Sequence, residues 1–289
     1  MTTTRLDRGR SPEPVRTFET LLAPRPSDNP VEFVGLPATA VSARMFGGHL
    51  LAQALMSTAR TVSPDFLPIS VHALFLRPGD SGQPTDYRVG SPRDGRAYAT
   101  RTAEASQHER VLSSMVVQWQ RPEEWLDAGG VDGVLPERPP EQPLPYAAPG
   151  VLTEVLDLRW VDTSTGRALW FRPRATLPAD PVLHTAVALY VSDLWLVDTL
   201  LRGFGERFDS PGIRAGSLDH AAWFHRPPVL DDWVCLTSWA PVAAGGRGLV
   251  EARLHAANGA LLATFAQEAS VRIRRQRDAD AKTIARSTS

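Results

Sequence analysis

Two stretches of this chain decide its fold, SLDHAAWFHRP at residues 217–227 and SVHALFLRP at residues 70–78. Each contains His-Ala, then aromatic and aliphatic residues, then Arg-Pro. Further blocks match in the same order: DGRAYATRTAEA (94–105) with GGRGLVEARLHA (245–256), and RVLSSMVVQWQR (110–121) with ALLATFAQEASVR (260–272). A period of half a chain predicts two duplicated domains and not a solenoid.

A helix signal opens each half. After a glycine pair, GGHLLAQALMSTARTV contains good helix formers and predicts a helix from His49 to about Arg60. In the second half, Asp180 suits an N-cap, Pro181 suits the first helical position and Gly203 suits the C-terminal stop. Apolar residues occur almost all round this second helix, so we expect other structure to surround it.

Segments rich in β-branched and aromatic residues follow each helix, and turn sequences separate them. One long helix followed by antiparallel strands, twice, predicts an α+β fold in which each sheet wraps around a helix. The predicted divisions are a disordered arm (1–18), a first domain (19–125), a proline-rich connector (126–155), a second domain (156–275) and a flexible tail (276–289).

Composition indicates a soluble globular protein, because 43% of the 289 residues are hydrophobic and 22% are charged. A net charge of −1 predicts no attraction to nucleic acid or to an anionic membrane. The most apolar stretch (182–201) contains His184, Asp193 and Asp198, so we expect a buried helix and no membrane span. Cys235 is the only cysteine, which excludes an intramolecular disulfide and favours the cytoplasm.

Six ordered blocks make the chain resemble the acyl-CoA thioesterase II family, which has a double hotdog fold. The blocks are MFGGHLLAQAL (45–55), HALFLRPGD (72–80), RDGRAY (93–98), LDHAAWFHRP (218–227), GGRG (245–248) and FAQEASVR (265–272). The resemblance implies two tandem hotdog domains. It also implies hydrolysis of an acyl-CoA thioester to free acid and CoA by a water molecule, without metal, cofactor or covalent intermediate.

The resemblance further implies that an aspartate, a hydroxyl residue and a glutamine gather around this water. Asp219 matches the aspartate and Gln267 matches the glutamine. With His72-Ala73 aligned on His220-Ala221, the first-half positions are Val71 and Val117, which cannot transfer protons. A carboxylate can take a proton from water, and an amide can accept and donate hydrogen bonds at once.

Three further groups of candidates follow from the same blocks. The helix start near Gly48 and His49 could donate backbone N–H groups to the developing oxyanion. His49, where many relatives carry glutamine, either donates a hydrogen bond in the site or caps the helix surface. Arg96 and Arg247 are candidates for contact with the CoA phosphates.

The expected hydroxyl residue is missing, because the aligned positions are Pro241 and Val242. Catalysis could continue on Asp219 and Gln267 with a loss on the order of 100-fold. Alternatively, the pocket is adapted to an unusual or bulky acyl group, with Val242 in an apolar wall. Sequence leaves the acyl group open, and an aromatic group is as admissible as a fatty chain.

Two other functions compete with thioester hydrolysis. One is a catalytically weak or silent thioester-binding protein, which the missing hydroxyl suggests. The other is an enoyl-CoA hydratase on the same scaffold, whose usual Asp and His pair within one half is not evident. The resemblance also implies a homo-oligomer, with acyl-CoA as the small-molecule partner.

Overall fold

The computed structural model describes residues 17–37, 43–123, 135–139, 141, 150–164 and 166–273. The predicted tail, most of the predicted arm and most of the connector lie outside these ranges. Helices in the described part are α1 (Phe18–Leu21), α2 (Gly47–Ala59), α3 (Gly150–Val155), α4 (Pro181–Ser192) and α5 (Leu196–Arg202).

The strands of the first half are β1 (Arg25–Pro26), β2 (Glu32–Gly35), β3 (Leu67–Phe75), β4 (Thr85–Asp94), β5 (Tyr98–Gln107) and β6 (Arg110–Gln120). Those of the second half are β7 (Leu156–Asp162), β8 (Gly166–Pro173), β9 (Ile213–Ser217), β10 (Asp219–Phe224), β11 (Val234–Ala244), β12 (Arg247–Ala256) and β13 (Leu261–Ile273).

One antiparallel sheet contains all of these strands, in the order β1-β2-β4-β5-β6-β3-β10-β13-β12-β11-β8-β7, with β9 also paired to β13. The series β2-β4-β5-β6-β3 of the first half therefore recurs as β8-β11-β12-β13-β10 in the second. α2 packs against α4 and against β4, β5 and β6, so the sheet encloses the helices. The prediction of a double hotdog α+β fold is confirmed.

The two repeated stretches form adjacent antiparallel strands at the centre of this sheet. In the β3–β10 pair, His72 lies opposite Ala221 and Ala73 lies opposite His220. The repeats thus join the two halves about an approximate twofold axis.

The alignment of His72 with His220 is wrong by one residue. His220 is fully buried, whereas His72 is exposed. Successive side chains of a strand face opposite sides of the sheet, so equivalent positions must share their burial. The fully buried Val71 is therefore the counterpart of His220, and Ser70 is the counterpart of Asp219.

The two Arg-Pro pairs support this corrected register. Arg77 Nη1 donates to Val111 O, and Arg226 Nη1 donates in the same way to Leu261 O, both at 2.8 Å. These two arginines hold equivalent turns in the two halves. They are 149 positions apart in the sequence, and so are Val71 and His220.

The helices α2 and α4 begin in different ways. Asp180 Oδ1 accepts hydrogen bonds from two N–H groups of the first turn of α4, with Pro181 in the first helical position, as predicted. α2 begins at Gly47, and its N-cap residue Phe46 provides no side-chain cap. A Cβ atom on Gly48 would lie 2.3 Å from Tyr190 O, so only glycine permits this approach of α2 to the last turn of α4.

The single helix that was predicted to run from Pro181 to Gly203 is in fact two helices. α4 ends at Ser192, and α5 begins after Trp195, which has a left-handed conformation with φ of 61°. Gly203 follows the last residue of α5. The break places Asp193 at the end of α4, beside the beginning of α2.

In each half, strands also precede the long helix. β2 precedes α2 and pairs with β4, while β7 and β8 precede α4 and β8 pairs with β11. These strands extend each sheet beyond the prediction.

Among the described helices, none has the combination of length and hydropathy that a membrane crossing needs.

Cys235 is buried beside Trp170 and Trp233 in a small apolar cluster, so it is a core residue. Burial raises the pKa of its thiol to about 12. A thiol that stays protonated is a poor nucleophile, so Cys235 has a packing role.

Candidate active site

Asp219 lies in a β-bulge where β9 passes into β10. Between the pairs Ser217–Ala269 and Ala221–Ala266, this strand holds one residue more than β13 does. The extra residue falls at 218–219. A bulge re-aims side chains, and bulges are frequent beside active sites.

The bulge directs the Asp219 carboxylate toward the neighbouring strand. Its Oδ1 atom accepts a hydrogen bond from the Glu268 N–H at 2.7 Å, a donor that a strand carbonyl would otherwise satisfy. Asp219 is partly exposed, and within the described ranges only Glu268 N–H donates to its carboxylate. One oxygen is therefore anchored, and Oδ2 is available to another molecule.

Gln267 immediately precedes Glu268 and is fully buried. Its Oε1 atom lies 2.6 Å from His220 Nδ1, and its Nε2 atom donates to Ser217 Oγ at 2.8 Å. Ser217 and His220 are on either side of Asp219 in the sequence. The bulge therefore brings both of their side chains to one amide, next to the carboxylate.

His220 fixes the orientation of this amide. Burial lowers the pKa of His220 to about 4, so the ring is neutral and has one N–H donor. Because Gln267 Oε1 is an acceptor, the donor is Nδ1–H. The Ser192 hydroxyl, which donates to Leu189 O at 2.8 Å, lies 2.9 Å from Nε2. The His220 Nδ1–H therefore holds Gln267 Oε1 in place.

Asp193 connects this group to the start of α2. Its Oδ2 atom accepts a hydrogen bond from the Gly48 N–H at 2.8 Å, across 145 positions of sequence. Oδ1 is buried without a hydrogen-bond partner in the described part of the chain. Burial raises the pKa of Asp193 to about 7, although the Gly48 N–H, the Gln267 side chain and the charge of Arg44 oppose this shift.

Sequence reasoning missed Asp193, and one signal could have revealed it. A carboxylate inside a nearly continuous apolar helix is costly to bury unless it has a hydrogen-bond partner. The partner, Gly48, is a residue that the sequence had already singled out.

The structure separates the roles of Gly48 and His49. Gly48 N–H, a candidate oxyanion donor, is bound to Asp193, and His49 N–H donates to Phe46 O at 3.2 Å. The His49 side chain is fully buried, and its Nε2 atom donates to Leu36 O at 3.1 Å. Burial lowers the pKa of His49 to about 4. The alternative that His49 caps the helix surface is therefore wrong.

Pro241 and Val242, the positions of the missing hydroxyl, lie at a second irregularity, in β11, where its pairing with β12 shifts between Trp239 and Val242. Both side chains are exposed, and Val242 is 54% accessible. Val242 therefore lies outside the apolar core, and its place in the wall of an acyl pocket stays a prediction.

The two arginine candidates lie in equivalent turns of different halves. Arg247 Nε donates to Glu268 Oε1 at 2.9 Å, which places Arg247 next to the residue that anchors Asp219. Arg96 is exposed in the β4–β5 turn of the first half. Only Arg247 is thus brought to the side of Asp219 and Gln267.

The fold and this polar group define a class, the double hotdog thioester hydrolases. Two domain models cover most of the chain, an acyl-CoA thioesterase N-terminal domain at residues 36–119 and an acyl-CoA thioesterase C-terminal domain at residues 133–271. The chain belongs to the acyl-CoA thioesterase II family.

Individual relatives agree with this assignment. The chain is 30% identical to human acyl-coenzyme A thioesterase 8, over 93% of this chain and 94% of the relative. It is 29% identical to acyl-CoA thioesterase 2 of Haemophilus influenzae, over 79% and 88%. A crystal structure of an acyl-CoA thioesterase II, TesB2, from Mycobacterium marinum superposes with a TM-score of 0.75 at 31% identity, over 89% of this chain and 97% of that one.

Proposed function

We propose that this protein hydrolyses acyl-CoA thioesters by direct attack of a water molecule, with Asp219 as general base and Gln267 as the residue that orients the water. One observation carries the proposal. The bulge at 218–219 places an anchored carboxylate with one open oxygen beside an amide that His220 holds in a fixed orientation. Relatives that are about 30% identical over most of their length are named acyl-CoA thioesterases.

The chemistry balances with these groups alone. Asp219 Oδ2 takes a proton from the water while the water oxygen forms a bond to the thioester carbonyl carbon. The tetrahedral intermediate then collapses, the carbon–sulfur bond breaks, and the proton passes to the CoA sulfur. The products are a carboxylic acid and the CoA thiol, and the carboxylate of Asp219 is restored. No metal or cofactor enters this scheme.

Gln267 contributes orientation. After its bonds to His220 and Ser217, it retains one lone pair on Oε1. The lone pair can accept the second proton of the water, which then points a lone pair toward the carbonyl carbon. Holding the reactants in this geometry removes much of the entropic barrier.

The α2 N-terminus remains the candidate for oxyanion stabilisation in this proposal. The Gly48 N–H can bind the thioester oxygen only after it leaves Asp193. Protonation of Asp193 weakens this bond, because a neutral carboxyl accepts more weakly than a carboxylate. We propose Arg247 as a contact for the CoA phosphates, and Arg96 as a weaker candidate because it lies in the other half.

Thiol release from a panel of acyl-CoAs tests the proposal, in wild type and in Asp219→Asn and Gln267→Ala. We expect kcat to fall about 10²- to 10⁴-fold for Asp219→Asn and about 100-fold for Gln267→Ala. Matched controls in the first half are Ser70→Ala, at the counterpart of Asp219, and Gln118→Ala, on β6. Both controls should keep wild-type rates.

Other outcomes of this assay would overturn the proposal. Tight binding of acyl-CoA with no thiol released would favour a silent binding protein. A change in enoyl-CoA absorbance with no free thiol would favour the hydratase. The panel also tests the prediction of an unusual or bulky acyl group, since it ranks aromatic and branched esters against straight fatty chains.

The cytoplasmic location and the homo-oligomer stay predictions. Light scattering of the purified protein tests the second. A mass equal to that of one 31.6 kDa chain would contradict it.

A further inference from the structure

We propose that Ser217 supplies the hydroxyl group of the water-binding set, in place of the hydroxyl residue that is missing at Pro241 and Val242. This inference rests on the proposed function, since it adds a third catalytic residue to Asp219 and Gln267.

The usual position cannot supply this group. Neither Pro241 nor Val242 has a hydroxyl, and both side chains are exposed. Thr237 and Ser238, the nearest hydroxyls before them on β11, are engaged elsewhere: Thr237 Oγ1 lies 3.4 Å from Arg253 O, and Ser238 Oγ lies 3.0 Å from the Thr199 hydroxyl. A hydroxyl for the water must therefore come from another strand.

Ser217 can supply this hydroxyl from β9, which pairs with β13, the strand of Gln267. Its Oγ atom lies 2.8 Å from Gln267 Nε2, and Ser217 is only partly buried. It is the last residue of β9, and the bulge that begins directly after it carries Asp219. The bulge therefore brings the Ser217 hydroxyl to the Gln267 amide and the Asp219 carboxylate to the N–H of the next residue, Glu268.

The direction of the hydrogen bonds leaves the Ser217 proton free for a ligand. His220 Nδ1–H donates to Gln267 Oε1, and Gln267 Nε2–H donates to Ser217 Oγ. The orientation of the Gln267 amide, with Oε1 toward His220 and Nε2 toward Ser217, sets both directions. The Ser217 O–H is thus the final donor, and no described residue accepts its proton.

A water molecule in this position would be fully oriented. Its protons are accepted by Asp219 Oδ2 and by the second lone pair of Gln267 Oε1. One of its lone pairs accepts from the Ser217 O–H. The remaining lone pair is the one that attacks the thioester carbonyl carbon, so the three side chains select a single direction of attack.

The first half has the same kind of bulge without these polar side chains. Its bulge falls between the pairs Pro68–Trp119 and Ser70–Gln118, so Pro68 is the counterpart of Ser217. Proline has no hydroxyl, and the counterparts of His220 and Gln267 are Val71 and Val117. A serine at 217 is therefore not required by the bulge itself, which both halves form.

The test compares Ser217→Thr with Ser217→Val, because the two side chains have the same shape and differ only in the hydroxyl. β-Branched residues suit a strand, so both variants should fold. We expect kcat for thiol release to fall about 10- to 100-fold in Ser217→Val and to stay within about threefold of wild type in Ser217→Thr. KM should change little in either variant.

Ser270→Ala is the matched control, because Ser270 lies on β13 opposite Gly216, one residue from the pair of Ser217, and its hydroxyl donates to Gly216 O at 3.3 Å. It should keep the wild-type kcat. Equal rates for Ser217→Val and Ser217→Thr would overturn the inference, even where Asp219→Asn and Gln267→Ala abolish release. Absence of thiol release by wild type would instead overturn the proposed function itself.

Discussion

The bulge in β3 and the bulge where β9 passes into β10 occupy equivalent positions in the two halves and differ in the side chains that they carry. In the second half, the bulge and the strand beside it carry Ser217, Asp219, His220 and Gln267, while the equivalent positions of the first half are Pro68, Ser70, Val71 and Val117. The first-half bulge, with Thr185 of α4 and Phe224 of β10, lines a cavity of about 220 Å³. Both halves of the duplicated fold thus have the same strand arrangement, but only the second half has the group of polar side chains.

The N-terminal ends of α2 and α4 also differ between the two halves. α4 is capped by its own Asp180, whereas the N–H of Gly48 in α2 is bound by Asp193 from the other half. A local cap satisfies a helix end permanently. A cap from a distant, buried carboxylate can be displaced or protonated, which suits a helix end that receives a ligand.

We call the bulge at 218–219 with Ser217, Asp219, His220 and Gln267 the polar junction, and its first-half counterpart with Pro68, Ser70, Val71 and Val117 the apolar junction. The largest expected effect comes from making the polar junction resemble the apolar one. Gln267→Val installs the residue of the equivalent position, Val117, and should lower kcat for thiol release by at least about 100-fold, since the water loses its orienting group. The fold should persist, because Val117 is fully buried at the equivalent position of the first half. Retention of wild-type activity would show that the polar junction is not the reaction centre.

The duplicated fold could be predicted from the repeats, and Asp219 and Gln267 could be picked out from the family blocks. The register of the repeat could not be obtained from identity alone. The stretch after His220 contains one residue more before Arg-Pro than the stretch after His72 does. Matching the buried positions, with Phe75 beside Phe224, would have given the correct offset.

The remaining errors arise from contacts between distant parts of the chain. Residues 192–196 include no Gly or Pro, so local propensity gives no reason to end a helix there. Asp193 finds its partner Gly48 only in the folded chain. Likewise, the contact of Ser217 with Gln267 depends on a bulge, which shifts side chains out of simple alternation.

Asp193→Asn tests the distant cap through the pH dependence of stability. The pKa of Asp193 is about 7 in the folded state, above its ordinary value of 3.8, so the native protein holds this proton more tightly. The associated stability is complete below about pH 4 and is lost as the pH rises through 7. Between pH 4 and 8, wild type should therefore lose up to roughly 4 kcal/mol relative to the variant.

Urea unfolding of both proteins across this pH range measures the difference. His49 and His220, whose pKa values are lowered, have the opposite dependence, but they are common to both proteins and cancel in the comparison. A difference that does not change with pH would contradict the raised pKa of Asp193.

His220→Val tests whether the polar junction costs stability. The single substitution leaves Gln267 Oε1 buried without its donor, and we expect a loss of about 1–3 kcal/mol. The double variant His220→Val, Gln267→Val reproduces the Val71–Val117 pair and should recover most of this loss, because both partners are then apolar. Urea midpoints at equal m-values measure both effects. A double variant less stable than the single one would show that the two junctions are not equivalent in packing.

The smallest effect is expected at the local cap of α4. Asp180→Ala removes the acceptor for Val182 N–H and Leu183 N–H, and should lower the free energy of unfolding by about 1 kcal/mol. Because this helix end faces the apolar junction, kcat for thiol release should be unchanged under conditions where the variant is folded. A fall in kcat without a matching loss of stability would mean that the N-terminal end of α4 takes part in the reaction after all, and that both junctions of the duplicated fold are active.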